Sequence, residues 1–98
     1  MFDVSKTSYV PAVYISHDEI ELKIVIELAG VNKEDIKLEM TSYSICLNAS
    51  GKDISYSGCY SLAHEIDPKQ ALAKFENGLL TVTIPLTKRF SGEIIPIE

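Results

Sequence analysis

Apolar residues occupy every second position in several short stretches of the chain, which is the period of a strand buried on one face. The alternation is cleanest from Glu21 to Leu28, where aliphatic residues share one face and mostly charged residues share the other. Ile36 to Met40 and Ser44 to Ala49 repeat the pattern, and Pro11 to Ile15 predicts an earlier strand that ends at a polar turn, Ser16 to Glu19. Each stretch predicts a half-buried β-strand.

The connecting segments carry weaker signals. Gly30 and the polar run Asn32 to Asp35 predict a turn, or one helical turn capped by Asn32. Alternate positions from Ile54 to Ile66 predict one long strand, or two strands joined at a bend near Gly58. Asp67-Pro68 then predicts a capped single helical turn, because Asp accepts hydrogen bonds from free amides and Pro suits the first helical position.

The most informative stretch runs from Ala73 to Pro85, with the sequence AKFENGLLTVTIP. Its two apolar runs flank Asn77-Gly78, a dipeptide that tolerates positive φ and favours a two-residue hairpin turn. After the turn, aliphatic residues alternate with Thr81 and Thr83, as in a strand buried on one face. The sequence therefore predicts a β-hairpin here, with the signature residues Ala73, Asn77, Gly78, Leu79 and Leu80.

These strands number seven or eight, and no amphipathic helix of useful length separates them. An antiparallel, immunoglobulin-like β-sandwich is the most economical way to bury so many one-sided strands. We expect a short, loosely held arm over residues 1–10, the sandwich over 11–85 and an extension over 86–98. The predicted fold class is all-β.

Composition restricts the partners and the compartment. The net charge of −5, with both signs interspersed, argues against nucleic acid or an anionic membrane as the main partner. No apolar run approaches the roughly 20 residues of a spanning helix, and the N-terminus lacks signal-peptide features, so we expect a cytoplasmic protein. Cys46 and Cys59 lack zinc-site spacing. In that compartment we expect two reduced thiols rather than a disulfide.

The last five residues, Ile94 to Glu98, are mostly apolar, and exposure of these side chains to water would be unfavourable. Pro96 favours an extended backbone, so that Ile95 and Ile97 project on the same side of a strand-like peptide. This pattern predicts that a groove receives the two side chains. The alternative is that the tail forms a last edge strand on its own domain.

Nothing in the sequence predicts catalysis, a cofactor or a metal. His17 and His64 each stand alone, and the adjacent carboxylates Asp18-Glu19 and Glu34-Asp35 suit turns and capping. No nucleophile elbow and no glycine-rich phosphate loop occur. A tyrosine platform for single-stranded nucleic acid is disfavoured by the acidic balance. Its members would be Tyr9, Tyr14, Tyr43, Tyr56 and Tyr60.

Three segments together resemble the small heat-shock proteins, the α-crystallin domain family of ATP-independent chaperones. ELAGVNKEDIKLE at 27–39 is similar to the family's strand, turn and second strand, and AKFENGLLTVTIP at 73–85 is similar to its Asn-Gly hairpin signature. IPI at 95–97 resembles the family's C-terminal Ile-x-Ile motif. The resemblance covers most of the chain from Pro11 onward.

The resemblance implies a holdase, which binds partly unfolded clients on apolar surface, and a homo-oligomer in which one subunit's tail fills a groove of another. The implied groove walls are the strands near 36–40 and 72–76. The residues named for them are Ile36, Leu38, Met40, Leu72, Lys74 and Glu76.

Two departures from the family pattern bear on assembly. Ala29 stands where the family usually has Pro, and residues 51–58 are much shorter than the loop through which many members exchange a strand. A dimer could instead pair the strand of Ile54, Tyr56, Tyr60 and Leu62 with its copy. The alternatives are a CS-type cochaperone without that dimer, which binds a specific folded chaperone, and a plain sandwich interaction module.

Overall fold

Eight β-strands and one short 3-10 helix make up the described part of the chain, residues 7–86 and 94–98 of a computed structural model. The strands alternate between buried and exposed residues along much of their length, as the hydrophobic pattern predicts. They are β1 (Thr7–Tyr9), β2 (Val13–His17), β3 (Glu21–Glu27), β4 (Val31–Met40), β5 (Ser44–Gly51), β6 (Ile54–Ser61), β7 (Leu72–Glu76) and β8 (Leu79–Pro85), with the 3-10 helix at Pro68–Gln70.

The strands form two four-stranded sheets that pack face to face. One sheet has the order β1-β6-β5-β4 and the other has the order β2-β3-β8-β7. Neighbouring strands are antiparallel except β1 and β6, which are parallel. The predicted all-β sandwich is confirmed.

The core lies between the two sheets and contains only hydrophobic side chains among the described residues. Most of them come from the central strands β3, β5 and β8, because these strands have a neighbour on both sides and a sheet in front. The buried residues are Leu22, Ile24, Ile26, Leu28, Ile45, Leu47, Ala49, Leu62, Ile66, Leu80, Val82 and Ile84.

The β7–β8 hairpin turns at the predicted dipeptide. Asn77 has φ 51° and Gly78 has φ 77°, so both central residues are left-handed, as a type I′ turn requires. The N–H of Leu28 donates to the carbonyl of Gly78 at 2.7 Å, which ties the turn to the end of β3. The hairpin prediction is confirmed, including its two-residue turn at Asn77-Gly78.

Two predictions about local structure were wrong. Residues 7–9 of the supposed loose arm form β1, which pairs with β6 in the register Thr7 to Ile54. Asn32 to Asp35 form no helical turn but belong to β4, whose pairing with β5 shifts between Val31 and Ile36. The bulge explains the missing alternation, because an unpaired stretch breaks the period of two.

The long predicted strand ends earlier than its pattern suggested. β6 continues through Gly58 without a break and stops at Ser61, and Ile66 makes a single bridge to Leu86. A Cβ on Gly58 would lie 2.6 Å from the hydroxyl oxygen of Tyr60, so the glycine leaves room for that ring. The predicted cap is confirmed, since the Asp67 carboxylate accepts from the N–H of Lys69 at 3.0 Å.

The prediction of two reduced thiols was wrong, because Cys46 and Cys59 form a disulfide. Strands β5 and β6 place the two residues directly opposite each other, with Cα atoms 4.1 Å apart. The register of β5 with β6 could not be read from the sequence, and the argument from a cytoplasmic location does not address it. The bridge lies on the face of its sheet away from the core, since the neighbouring Ile45 and Leu47 point inward.

We predict that replacing both cysteines by Ala lowers the free energy of unfolding by about 2–4 kcal/mol. The bridge joins residues 13 apart in sequence, and closing such a loop restricts the unfolded chain. Urea unfolding of the variant and of the oxidised protein measures the difference. A reductant should destabilise the unmodified protein by the same amount and leave the variant unchanged. An unaltered midpoint in both would contradict the prediction.

The turn between β2 and β3 is held by Asp18. Its carboxylate accepts hydrogen bonds from the backbone N–H of Glu21 at 2.8 Å and of Ile20 at 2.7 Å. These donors favour the charged form, so the pKa of Asp18 lies below its ordinary 3.8. The stabilisation is therefore present above 3.8 and is lost as the pH falls through the lower pKa of the folded state.

We predict that Asp18→Ala destabilises the protein at neutral pH, and that this difference shrinks when the pH is taken well below 3.8. Asp18→Asn keeps an acceptor oxygen without the charge, so it should retain more stability than the Ala variant and show less acid dependence than the native residue. The denaturation midpoints of the three proteins, measured from about pH 2 to about pH 7, test this prediction. A difference that grows in acid would contradict the assignment.

Candidate functional site

Two tyrosines of β6 bridge the two sheets on one side of the sandwich. The Tyr56 hydroxyl donates to the carbonyl of Ala29 at 2.7 Å, and the Tyr60 hydroxyl donates to the carbonyl of Pro11 at 3.4 Å. Both carbonyls flank the β2–β3 pair, so β1 and β6 lie over β2 and β3. Because each sheet has four strands, β4 and β7 are therefore the edge strands on the opposite side of the sandwich.

Strand β4 presents a row of half-buried aliphatic residues at that side. Ile36, Leu38 and Met40 are paired in register with three buried residues of β5 and pack against the core. β4 is an edge strand, so one flank of each side chain stays open. The prediction placed these three residues on one wall of a groove, and they do share one face.

The residues on the inner face of strand β7 are not the ones that the prediction named. Ala73 and Phe75 are paired with the buried Val82 and Leu80, so they lie on the inner face, and Phe75 packs against the core. The predicted wall residues alternate with them and lie on the outer face. These are Leu72, Lys74 and Glu76, all of them exposed.

We use the term β4–β7 groove for the inner-face residues of these two edge strands. They are the half-buried Ile36, Leu38 and Met40 on β4, and the half-buried Phe75 and the exposed Ala73 on β7. Exposed ion pairs lie on the outer face of both strands. Lys37 and Glu39 lie 3.5 Å apart, and Lys74 and Glu76 lie 3.3 Å apart. Such exposed pairs add little stability, and within each pair the two charges cancel.

The hairpin signature supports this groove from behind. Leu80 is buried beneath Phe75, whereas Leu79 is on the exposed face. A Cβ on Gly78 would lie 3.5 Å from the Ala29 backbone, so the turn packs closely on the segment that follows β3. The hairpin therefore fixes the position of β7, and with it the second wall.

The C-terminal tail does not bury its isoleucines on its own sandwich. Ile94, Ile95 and Ile97 are 98%, 70% and 96% exposed, and residues 94–98 form no strand. The alternative of a last edge strand packed on its own domain does not agree with this exposure. The preceding segment, 87–93, of the predicted extension lies outside the described residues.

The proposed dimer strand is already occupied along part of its length. Ile54 and Tyr56 are paired with β1, and the hydroxyls of Tyr56 and Tyr60 bind carbonyls of the other sheet. Leu62 is buried and lies beyond the end of β6. Pairing of β6 with its copy would have only its second half available unless β1 left the sheet.

Two chemical features escaped the sequence pattern. His17 and His64 are not isolated, because their rings meet edge to face with centroids 4.5 Å apart. No group of three metal-ligating side chains accompanies them within residues 7–86 and 94–98. The Tyr43 hydroxyl donates to Glu65 at 2.7 Å, which raises the pKa of the tyrosine. Both contacts join residues distant in sequence, so no local spacing signals them.

The sequence profile of the CS domain matches residues 15–88. A "Probable 15 kDa heat shock protein" of Leptospira interrogans is 24% identical, with 86% of this chain and 75% of that protein covered. The structure is similar to heat shock protein 16.0 from Schizosaccharomyces pombe, with a TM-score of 0.73, 23% identity and coverage of 92% and 99% of the two chains.

A mutant of hsp14.1 from Sulfolobus solfatataricus is also similar in structure. The TM-score is 0.72 at 25% identity, and the similarity covers 89% of this chain and 80% of that one. These similarities agree with a sandwich of the small heat-shock type. Of the described residues, no helix is long and apolar enough to cross a membrane.

Proposed function

The chain belongs to the CS domain family and has the α-crystallin fold of the small heat-shock proteins, and on this premise we propose that it is an ATP-independent chaperone, a holdase. The β4–β7 groove carries the proposal. It offers apolar side chains at half-burial on two edge strands, so an extended apolar segment can cover them without any rearrangement of the core. The proposal includes no catalysis and no cofactor.

The geometry of the groove suits an extended peptide. Side chains two residues apart on a strand lie roughly 7 Å apart on one face, and this spacing applies both to Ile36, Leu38 and Met40 and to Ile95 and Ile97. Burial of each Ile would contribute about 1.5–3 kcal/mol before ordering costs. The exposed tail of one subunit is thus a fitting occupant for the groove of another, and we propose that tails link the subunits of a homo-oligomer.

A client would use the same surface. Partly unfolded proteins expose extended apolar segments, and such a segment can occupy the groove when the tail leaves it. The interaction needs no nucleotide, because the tail and the client compete for the same surface.

The second candidate is a CS-type cochaperone that binds one specific folded chaperone. Two observations favour it: the match to the CS domain, and the turn between β5 and β6, which leaves only Lys52 and Asp53 outside the strands. So short a connection cannot exchange a strand with a partner. A stable one-to-one complex with a folded chaperone, without protection of unfolded clients, would support this candidate instead.

We predict that the purified protein at excess suppresses light scattering by a heated client without ATP. Leu38→Asp should abolish most of this suppression, because it puts a charge on the inner face of β4. Ser57→Asp is the control, because it introduces the same charge at an exposed position on the outer face of β6, away from the groove, and it should leave suppression unchanged. Circular dichroism must show that both variants remain folded. Unchanged scattering with the unmodified protein, or equal loss in both variants, would refute the proposal.

A further inference from the structure

Four strands form the edges of the two sheets, and three of them carry features that discourage pairing with another chain. β4 contains five charged residues and a bulge, β7 contains Lys74 and Glu76, and β1 has only three residues. Charges, bulges and shortness are the devices that keep natural sheet edges from associating. The fourth edge strand, β2, has none of them.

Strand β2 has the sequence VYISH, which contains no Asp, Glu, Lys or Arg and begins with three apolar residues. Tyr14 is 58% exposed and Ile15 is 47% exposed, although Ile15 faces the inner side of its sheet opposite the buried Ile24. Sheet edges without charges or bulges and with exposed apolar side chains are templates for pairing with a further strand. The exposure of Ile15 shows that the opposing sheet does not reach far enough to cover this edge.

The direction of the backbone groups on β2 follows from its pairing with β3. The N–H of Glu27 donates to the carbonyl of Ala12, so Ala12, and every second residue after it, binds β3. Val13, Ile15 and His17 therefore direct their N–H and carbonyl groups to the free edge. Among residues 7–86 and 94–98, these groups have no neighbouring strand.

We propose that the free edge of β2 pairs with β2 of a second copy, antiparallel and centred on Ile15. This register places Ile15 opposite Ile15 of the partner and Val13 opposite His17 of the partner, so that every outward N–H and carbonyl of the strand finds a mate. Neighbouring registers leave Val13 or His17 facing Pro11 or Glu19. The two sheets would then join into one continuous sheet.

Charge and side-chain complementarity favour a second copy of β2 over the C-terminal tail as the strand that pairs with this edge. No charged residue lies within β2, and Asp18 of each copy would face Ala12 of the partner, so like charges do not meet. The half-exposed Ile15 side chains would cover each other across the two-fold axis. The tail fits less well, because Pro96 has no N–H to donate to the edge. The contact is isologous and closes at the dimer.

The first test compares two Lys variants of the full-length protein by sedimentation across a concentration series. Ile15→Lys places two ammonium groups opposite each other at the centre of the pair, and it should raise the dissociation constant of the dimer by at least about tenfold. Ser16→Lys, on the outer face one residue along, should leave that constant unchanged. Equal effects of the two variants would overturn the proposal.

A second measurement does not depend on any variant at this strand. Hydrogen exchange of the Val13, Ile15 and His17 amides in the unmodified protein should slow as the concentration rises through the dimer transition, while that of Lys37 on β4 should not follow it. Exchange independent of concentration would overturn the proposal. So would loss of the protection in an Ile95→Ser, Ile97→Ser variant, because that result would identify the tail as the occupant.

Discussion

The bridging of the two sheets by tyrosines of β6 is the interaction on which the rest of the structure depends. On one side, Tyr56 and Tyr60 of β6 reach across and bind carbonyls of the opposite sheet. On the other side, the edge strands β4 and β7 carry aliphatic and aromatic residues at half-burial. Contiguous apolar residues that stay partly exposed at the edge of a core mark a surface that an apolar partner covers. The β4–β7 groove is formed by such residues.

Much of the fold was predictable because a strand with one buried face alternates apolar and polar residues, which shows in the sequence which side chains point inward. β3, β5 and β8 alternate cleanly, and Asn77-Gly78 requires positive φ, so their placement needed no tertiary information. β1 has no such record, since three exposed residues become a strand only by pairing with β6. Period and turn chemistry therefore predicted the interior better than the edges.

The candidate site was predictable on one wall and not on the other. On β4 the inner residues are the aliphatic ones, so the pattern identifies them. On β7 apolar residues lie on both faces, Leu72 on one and Phe75 on the other, and only the register with β8 decides which face is inward. The same lack of register concealed the Cys46–Cys59 bridge and the contact between His17 and His64. Long-range pairing, rather than local propensity, determines all of these.

The groove and the β2 edge lie on opposite sides of the sandwich, so a tail in the one and a second copy on the other do not exclude each other. The two contacts have different consequences for assembly. An isologous β2 pair ends at two subunits, whereas a tail that reaches into a neighbour's groove is a heterologous contact that continues until it closes a ring or cage. Each weak tail contact would then gain strength from the number of subunits joined.

The solution mass measured by light scattering, for the intact chain and for the Ile95→Ser, Ile97→Ser variant, tests the central claim most directly. The tail-in-groove account predicts assemblies larger than a dimer for the intact chain and a mass no greater than that of a dimer for the variant. The same large mass for both proteins, or a mass no greater than a dimer for the intact chain, would contradict it.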